Sequence, residues 1–487
     1  MTDERLRPER GAKPPSESER GRGPASVERR WRMAERRATL RGMLSRLIPS
    51  IAVLSLVAPA VICAQETPTE REAAKDVLQR MAALENAIDV PRLVQTMTAP
   101  DPAREAVAAR ARALMESELL ALSDDICTHP EIGFKEQRSV QTLADALRAH
   151  DFDVTIGAGG LETAFVARYK RNHGGPNLGV IVEYDALRGT RGPFHGDQHC
   201  SQGPIGIAAA VAIAEFLTKN NVPGSVTVFG TPGEEMLEPS AKTVMHDAHV
   251  FDGMDVIVRS HASSQTSRPA PGFGTCCLNI DAVRSNLRPE ARIQGIITEG
   301  GAAPNVVPDR AQADFYIRYP DEVYLRTVRE FVDNAAKAAA LATGTKVKID
   351  NYGSSRDGIG VASLSEIAFA LLKTYGAGKV VDQPAKPQGF EESGSVSRDI
   401  PGIGFTAYSS DAPNHTYEME QDNLKPVGHT GFIVDAQAMA ALLHSFATHA
   451  EYRAAVKKEF DGVKALFGDY LKALEKTYTT PKVTDPK

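Results

Sequence analysis

Three short apolar runs, "LGVIV" (178–182), "VTVFG" (226–230) and "DVIVR" (255–259), limit what this chain can fold into more than any other feature. Each is rich in β-branched residues, and stretches at helical spacing such as "GIAAAVAIAEFLTKN" (206–220) separate them. Continuous apolar runs suit strands covered on both faces, and strands alternating with helices pair in parallel. The pattern predicts an α/β fold with a mostly parallel, doubly wound sheet. "TAFVARY" (163–169) and "IGFTAY" (403–408) read as further strands. "EQRSVQTLADALRAH" (136–150), "LSEIAFALLKTYG" (364–376) and "GFIVDAQAMAALLHSFATH" (431–449) read as helices.

The texture changes near residue 268. "GTCCLNIDAV" (274–283), "ARIQGIITEGG" (291–301), "AQADFYIRYP" (311–320) and "KVKIDNYG" (346–353) read as strands, with one long amphipathic helix over 321–344. This is a small α+β insert. The expected organisation is a catalytic domain in two parts, 70–267 and 358–478, with a lid domain inserted at 268–357. The stretch 70–122 is helical, with a break at "TAPDP" (98–102), and the second catalytic part closes with a C-terminal helix.

Residues 1–64 belong to a different regime. Residues 1–46 carry thirteen Lys/Arg against seven Asp/Glu, and the uncharged apolar run "LIPSIAVLSLVAPAVI" follows at 47–62. That run is shorter than the roughly 20 residues of a membrane helix and contains Pro49 and Pro59. Followed by "CAQETPTE", it reads as a secretory h-region cleaved near Ala64, with Met43 as a compact alternative start. The expected product is exported, periplasmic or secreted, with no stable membrane span after processing. Removing a net +6 from a chain of −6 leaves about −12, which disfavours nucleic acid as a partner. Cys127, Cys200, Cys276 and Cys277 then remain, too few for a disulfide framework.

The polar clusters follow the strands. Asp197 and His199 lie in "FHGDQHCSQGPIG", Glu234 and Glu235 in "GTPGEEM", His261 in "VRSHAS" and His415 in "DAPNHTYEME". In doubly wound sheets, sites form at the carboxyl ends of strands. Singly, each cluster has an ordinary reading: an acidic doublet is usually solvated, and a lone histidine is usually structural. Together they suit a hydrolytic dinuclear centre. Such a centre needs imidazoles and a bridging carboxylate to hold two divalent ions ~3.5–4 Å apart, and a further carboxylate to take a proton from water.

The same motifs, in order from about 105 to 450, carry a family resemblance. "THPEIGFKE", "VEYDAL", "FHGDQHCSQGPIGIAAA", "FGTPGEE", "VRSHA", "TEGGAAPNVVPDRAQADFYIR" and "NHTYE" resemble those of the aminoacylase/carboxypeptidase-G-type metallohydrolases. Within these, the chain is similar to the amidohydrolase branch that includes aminobenzoyl-glutamate and auxin-conjugate hydrolases. The resemblance implies Asp197, His199, Glu235, His261 and His415 as metal ligands and Glu234 as general base. It implies Asp185 as the carboxylate that orients a ligand histidine, and Asn305 and Arg318 as substrate-holding residues of the lid. It also implies two divalent ions as cofactor, Zn²⁺ first, with Mn²⁺ or Co²⁺ as alternatives. The branch has cysteine where this chain has Asp197, and a hard carboxylate there shifts preference toward the harder ions. Relatives also carry a further strand–helix unit in the lid, which often builds the dimer. Here "CCLNIDAVRSNLRPEARIQGII" passes almost directly over it, so a homo-oligomer stays undecided.

The implied activity is a metal-dependent amidohydrolase acting on N-acyl amino acids, aminobenzoyl-glutamate-like conjugates or small dipeptides. The turn "EESGS" (391–395) is expected to help hold the amino-acid carboxylate. The shortened lid keeps a second reading open, an exported binding protein descended from such a hydrolase. A third reading is a thiol hydrolase built on Cys200.

Overall fold

The computed structural model describes residues 67–477, apart from 171–173, 237–239, 262, 275–290, 320 and 352–355. The N-terminal extension with its apolar run, and the expected lid strand after Gly274, lie outside the described residues.

The apolar runs become the strands Asn177–Val182, Ser225–Gly230 and Val256–Ser260. They pair in parallel, and Gly402–Phe405 joins Val256–Ser260 in the same sense. Phe165–Tyr169 pairs antiparallel with Ser225–Gly230, and the strand Phe152–Ile156, which the pattern above does not predict, closes that edge. The six-stranded sheet is therefore mostly parallel with an antiparallel hairpin at one edge.

Alternate side chains separate the two faces. Val180, Val182, Val226, Val228, Val256 and Val258 belong to the larger core, against the helices His199–Asn220 and Pro426–Thr448. Gly206 lets the first of these helices close on the sheet, since a Cβ there would lie 2.4 Å from Val182 Cγ1. That helix is apolar enough to cross a membrane, yet it is buried within the protein. Ile181, Phe229 and Ile257 face the other way, onto Met245, Phe251, Phe390 and Val396. Both faces are covered, but the second by the short helix Ala241–Asp247 and irregular chain rather than by a layer of long helices. The doubly wound expectation is lopsided in this respect.

At the N-terminal end of the described chain, the helices Pro68–Ile88 and Val90–Thr98 precede the break at residues 98–102, and Pro102–Leu114 follows it. Pro68–Ile88 is closed by a Thr67–Glu70 capping box, and Asp101 accepts from Ala103 N and Arg104 N at the start of Pro102–Leu114. Pro68–Ile88 packs on the closing helix Ala450–Glu475.

Among the described residues the lid is the hairpin Arg292–Glu299/Gln312–Arg318 with the helix Glu322–Thr343, sharing a small core of Ile293, Tyr319, Tyr324 and Val328. Residues 346–351 of "KVKIDNYG" are not a strand. They have no ladder partner among the described residues, and a strand without one leaves its backbone groups to water.

Candidate metal centre

The carboxyl ends of the four parallel strands converge. Glu183 and Asp185 follow Asn177–Val182, Glu234 and Glu235 follow Ser225–Gly230, and His261 follows Val256–Ser260. The chain after Gly402–Phe405 carries Asn414 and His415. His199 begins the helix His199–Asn220, and Gln198 before it takes a left-handed conformation with φ 58°. His415 is left-handed too, at φ 64°, and its N–H donates to Gly196 O at 2.7 Å. Such conformations cost of order 1–3 kcal/mol each and persist where the surroundings hold them. Here they bring two loops, far apart in sequence, to the same point.

One oxygen is the centre of the arrangement. Asp197 Oδ2 lies 3.3 Å from His261 Nε2, 3.5 Å from His415 Nε2 and 3.8 Å from His199 Nε2. Its other oxygen, Oδ1, accepts from Asn414 Nδ2. Glu235 Oε1 stands 4.0 Å from His415 Nε2. Asp185 serves two neighbours: Oδ1 accepts from His199 Nδ1 at 3.0 Å, and Oδ2 accepts from Glu235 N at 2.9 Å. Because Nδ1 of His199 donates there, its Nε2 lone pair faces the cluster. Ligand atoms of Asp197, His199 and His261, of Asp197, Glu235 and His415, and of His199, Glu234 and Glu235 form three triplets, each within 4.8 Å.

The protonation preferences show how crowded the negative charge is. Burial, then Glu392, Glu235 and Glu183, push the Glu234 carboxyl well above the usual range, against Lys242. Burial, with Asp197 and Asp185, pushes Glu235 up to about 7 although His199 opposes it. Burial alone would raise Asp197 as well, but His261, His415 and His199 outweigh it and hold the group ionised. His199 is drawn toward its cationic form, against burial, by Asp185, Glu183 and Glu235.

Sequence reasoning missed a layer beneath these groups. Glu183 is fully buried and accepts from Arg259 Nη1 at 3.0 and 2.9 Å and from Gln202 Nε2 at 2.7 Å. Lys242 contacts both Glu183 and Glu392, and Arg259 lies 3.2 Å from Glu392. The signal was present: a charged Arg259 inside the apolar run "DVIVRS" needs a buried acid. Glu183, two residues before Asp185, is that acid.

These contacts also test whether divalent ions fit. Glu183, Asp185, Asp197, Glu234, Glu235 and Glu392 face two fixed cations, Lys242 and Arg259. With all six ionised, four negative charges would be left over, and two divalent ions would neutralise that many. His199 Nε2 and Glu235 Oε1 are buried with no hydrogen-bond partner. The donor set is imidazole and carboxylate throughout, which suits such ions.

Other candidates are placed elsewhere. In the turn 391–395, Glu391 accepts from Ser393, Val396 and Ser397, and Glu392 is held by Lys242 and Arg259. That turn is buried and acidic, so the expectation that it holds a substrate carboxylate is corrected. Asn305 is exposed in the loop at the tip of the lid hairpin. Arg318 ends the hairpin's second strand opposite Arg292, 5.7 Å over the Tyr316 ring and about 20 Å of strand from the tip. The two do not face a common point. Cys200 is fully buried, its Sγ accepting from Asn423 Nδ2 at 3.5 Å, and burial and the adjacent Cys127 thiol raise its pKa well above normal. A thiol so held is no nucleophile, which removes the cysteine-hydrolase reading.

A parallel sheet with this cluster at its strand ends defines a class of hydrolase-like α/β proteins, and comparison with known proteins narrows it. No family model matches the chain. It is 31% identical over 273 residues to one of the subunits of p-aminobenzoyl-glutamate hydrolase from Escherichia coli strain K12. That match takes in 47% of this chain and 56% of the relative, so the chain spans about half of that relative's length. It is 27% identical over 342 residues to the Xaa-Arg dipeptidase of Mus musculus, covering 61% of this chain and 78% of that one. The crystal structure of a proposed aminohydrolase from methicillin-resistant Staphylococcus aureus shares the fold. Its TM-score is 0.54 at 17% identity, over 71% of this chain and 100% of that one. The chain is thus similar to amidohydrolases and peptidases among the curated relatives.

Proposed function

We propose that this protein is a metal-dependent amidohydrolase. It would cleave the amide of N-acyl amino acids, aminobenzoyl-glutamate-like conjugates or small dipeptides. The observation that carries the reading is the single oxygen, Asp197 Oδ2, set among three imidazole Nε2 atoms at 3.3–3.8 Å beside two acids of raised pKa. The activities for which the relatives are named support the substrate class.

Asp197, His199, Glu235, His261 and His415 would hold two divalent ions, Zn²⁺ first and Mn²⁺ or Co²⁺ as the harder alternatives. Bound there, the ions would supply charge neutralisation, polarise the scissile carbonyl and acidify a water. The protein's own groups do the rest. Asp185 fixes the His199 tautomer and the Glu235 backbone. Asn414 restrains one oxygen of Asp197, and the other faces the three imidazoles. Glu234 would accept the proton of the attacking water and return it to the leaving amine. Arg318 and Asn305 are the lid side chains suited to a substrate's carboxylate and amide. Standing at opposite ends of the hairpin, they would serve different parts of a bound molecule.

Export belongs to the same reading, supported by the apolar run at 47–62 before "CAQETPTE". N-terminal sequencing of the protein recovered outside the cytoplasm tests it, and an uncleaved start refutes it.

The activity is tested by metal analysis together with amine release from p-aminobenzoyl-glutamate and from Xaa-Arg dipeptides. About two ions per chain and turnover that EDTA abolishes are expected. Ions bound without turnover on any amide would favour the binding-protein reading instead.

A further inference from the structure

The segment "THPEIGFKE" (128–136) has no part in the cluster, yet it grips the chain on either side of it. Glu131 O accepts from Ala186 N at 2.8 Å, which ties the segment to the residue after Asp185. Glu136 is fully buried, and both of its oxygens are used: Oε2 accepts from Thr163 Oγ1 at 2.7 Å and Oε1 from Gly233 N at 2.8 Å. Gly233, immediately before Glu234, is left-handed at φ 64°, and a Cβ there would lie 2.6 Å from the Phe134 ring. Phe134 is itself left-handed, at φ 61°. Phe134 and Glu136 thus enclose the Gly233 peptide from two sides. Thr163 extends the same connection, since its carbonyl accepts from Tyr184 OH at 2.5 Å, and Tyr184 lies between Glu183 and Asp185.

A carboxyl in such a place is costly. Burial first, and Asp185 further, push Glu136 up to about 7, against the Thr163 hydrogen bond. An apolar side chain would fill the space without that cost but would leave the buried Gly233 N–H unpaired.

We propose that Glu136 is a positioning residue for the hydrolysis: by holding the Gly233 peptide it sets the direction in which Glu234 and Glu235 leave the strand. The inference rests on the roles proposed above for those two acids. One oxygen of Glu136 suffices for the Gly233 contact, and a glutamine can supply it while its amide donates to Thr163 Oγ1.

The test uses the full chain and compares Glu136→Ala, Glu136→Gln and wild type. The measurements are kcat and KM on p-aminobenzoyl-glutamate, ion release to EDTA, and folding by circular dichroism. For Glu136→Ala, kcat should fall about 10–100-fold with KM within about twofold, and ion release should quicken by at least about tenfold. Glu136→Gln should stay within about threefold of wild type in both. A folded Glu136→Ala with kcat and ion release within about twofold of wild type overturns the proposal, and so does equal impairment of the two variants. Should Glu136→Ala not fold, Thr163→Val decides. It frees one Glu136 oxygen and should lower kcat about three- to tenfold at unchanged KM, and an unchanged kcat overturns the proposal. If wild type cleaves no amide, the functional reading has failed by itself, and ion release still decides the role of Glu136.

Discussion

The central sheet and the lid hairpin are written in similar residues and end in different states. Val180, Ile181 and Val182 are all 0% exposed, whereas Ile296 is 66%, Ile297 77% and Val307 92% exposed. Helices cover one face of the central sheet, and a short helix with irregular chain covers the other. The lid hairpin has only the helix Glu322–Thr343 against it, among the described residues. A strand's residues prescribe its pairing, but how many of its faces are buried depends on what other segments reach it. The chemistry follows the same division. A buried cluster of ionisable groups in mutual contact stands at the strand ends of the doubly covered sheet, where low dielectric strengthens each interaction. The lid offers Asn305 and Arg318 in looser surroundings.

The largest expected effect is catalytic and falls on the covered sheet. Glu234→Gln should lower kcat by about 10³-fold with bound ions retained, measured by amine release and metal analysis. A substitution on the lid, Arg318→Ala, should instead raise KM with kcat nearly unchanged. A large fall in kcat from Arg318→Ala would erase the contrast between the two regions.

Stability should divide in the same way. Arg259→Met removes a buried partner of Glu183 and Glu392 and should cost about 3–5 kcal/mol, read from denaturant unfolding. Val307→Ser on the exposed lid surface should change stability by no more than about 0.5 kcal/mol. A loss above ~1 kcal/mol there would mean that the surface is covered in solution.

A pH effect sharpens the picture of the helical layer. His444 is buried in the helix Pro426–Thr448, edge-on to Phe216 at 4.7 Å, and burial lowers its pKa to about 4. Its folded pKa lies below the unfolded value of 6.5, so its stabilising effect is full above pH 6.5 and is lost as pH falls toward about 4. The lowered affinity corresponds to at most ~3 kcal/mol. Melting temperatures between pH 7.5 and 4.5 should therefore fall more steeply for wild type than for His444→Leu. Equal slopes would show that His444 is accessible to protons in the folded protein.

Much of the site was legible before folding was considered, because a strand's end is a local event. "SVTVFGTPGEE" shows where an apolar run stops and two acids begin, and "VRSHA" shows the same for His261. The local pattern could not place "FDVTI" (152–156), whose alternation is too short to separate from a loop and which forms an edge strand on Phe165–Tyr169. Nor could it tell that residues 346–351 pair with no strand among the described residues. The charged layer of Glu183, Arg259, Lys242 and Glu392 comes from four separate stretches of chain, and only its one internal clue, an arginine among valines, was visible.

The sequence by itself pointed to the parallel strands of the central sheet, the α/β class and the candidate metal-binding residues, because periodicity and residue type act within a few positions. Tertiary structure alone decided that Asp197 turns one oxygen toward three histidines and the other toward Asn414, that Glu391 and Glu392 are used up inside the protein, and that Glu136 holds Gly233. These depend on distances between residues far apart in sequence, 217 positions for Asp197 and Asn414, set by how the layers pack and where buried charge finds a partner.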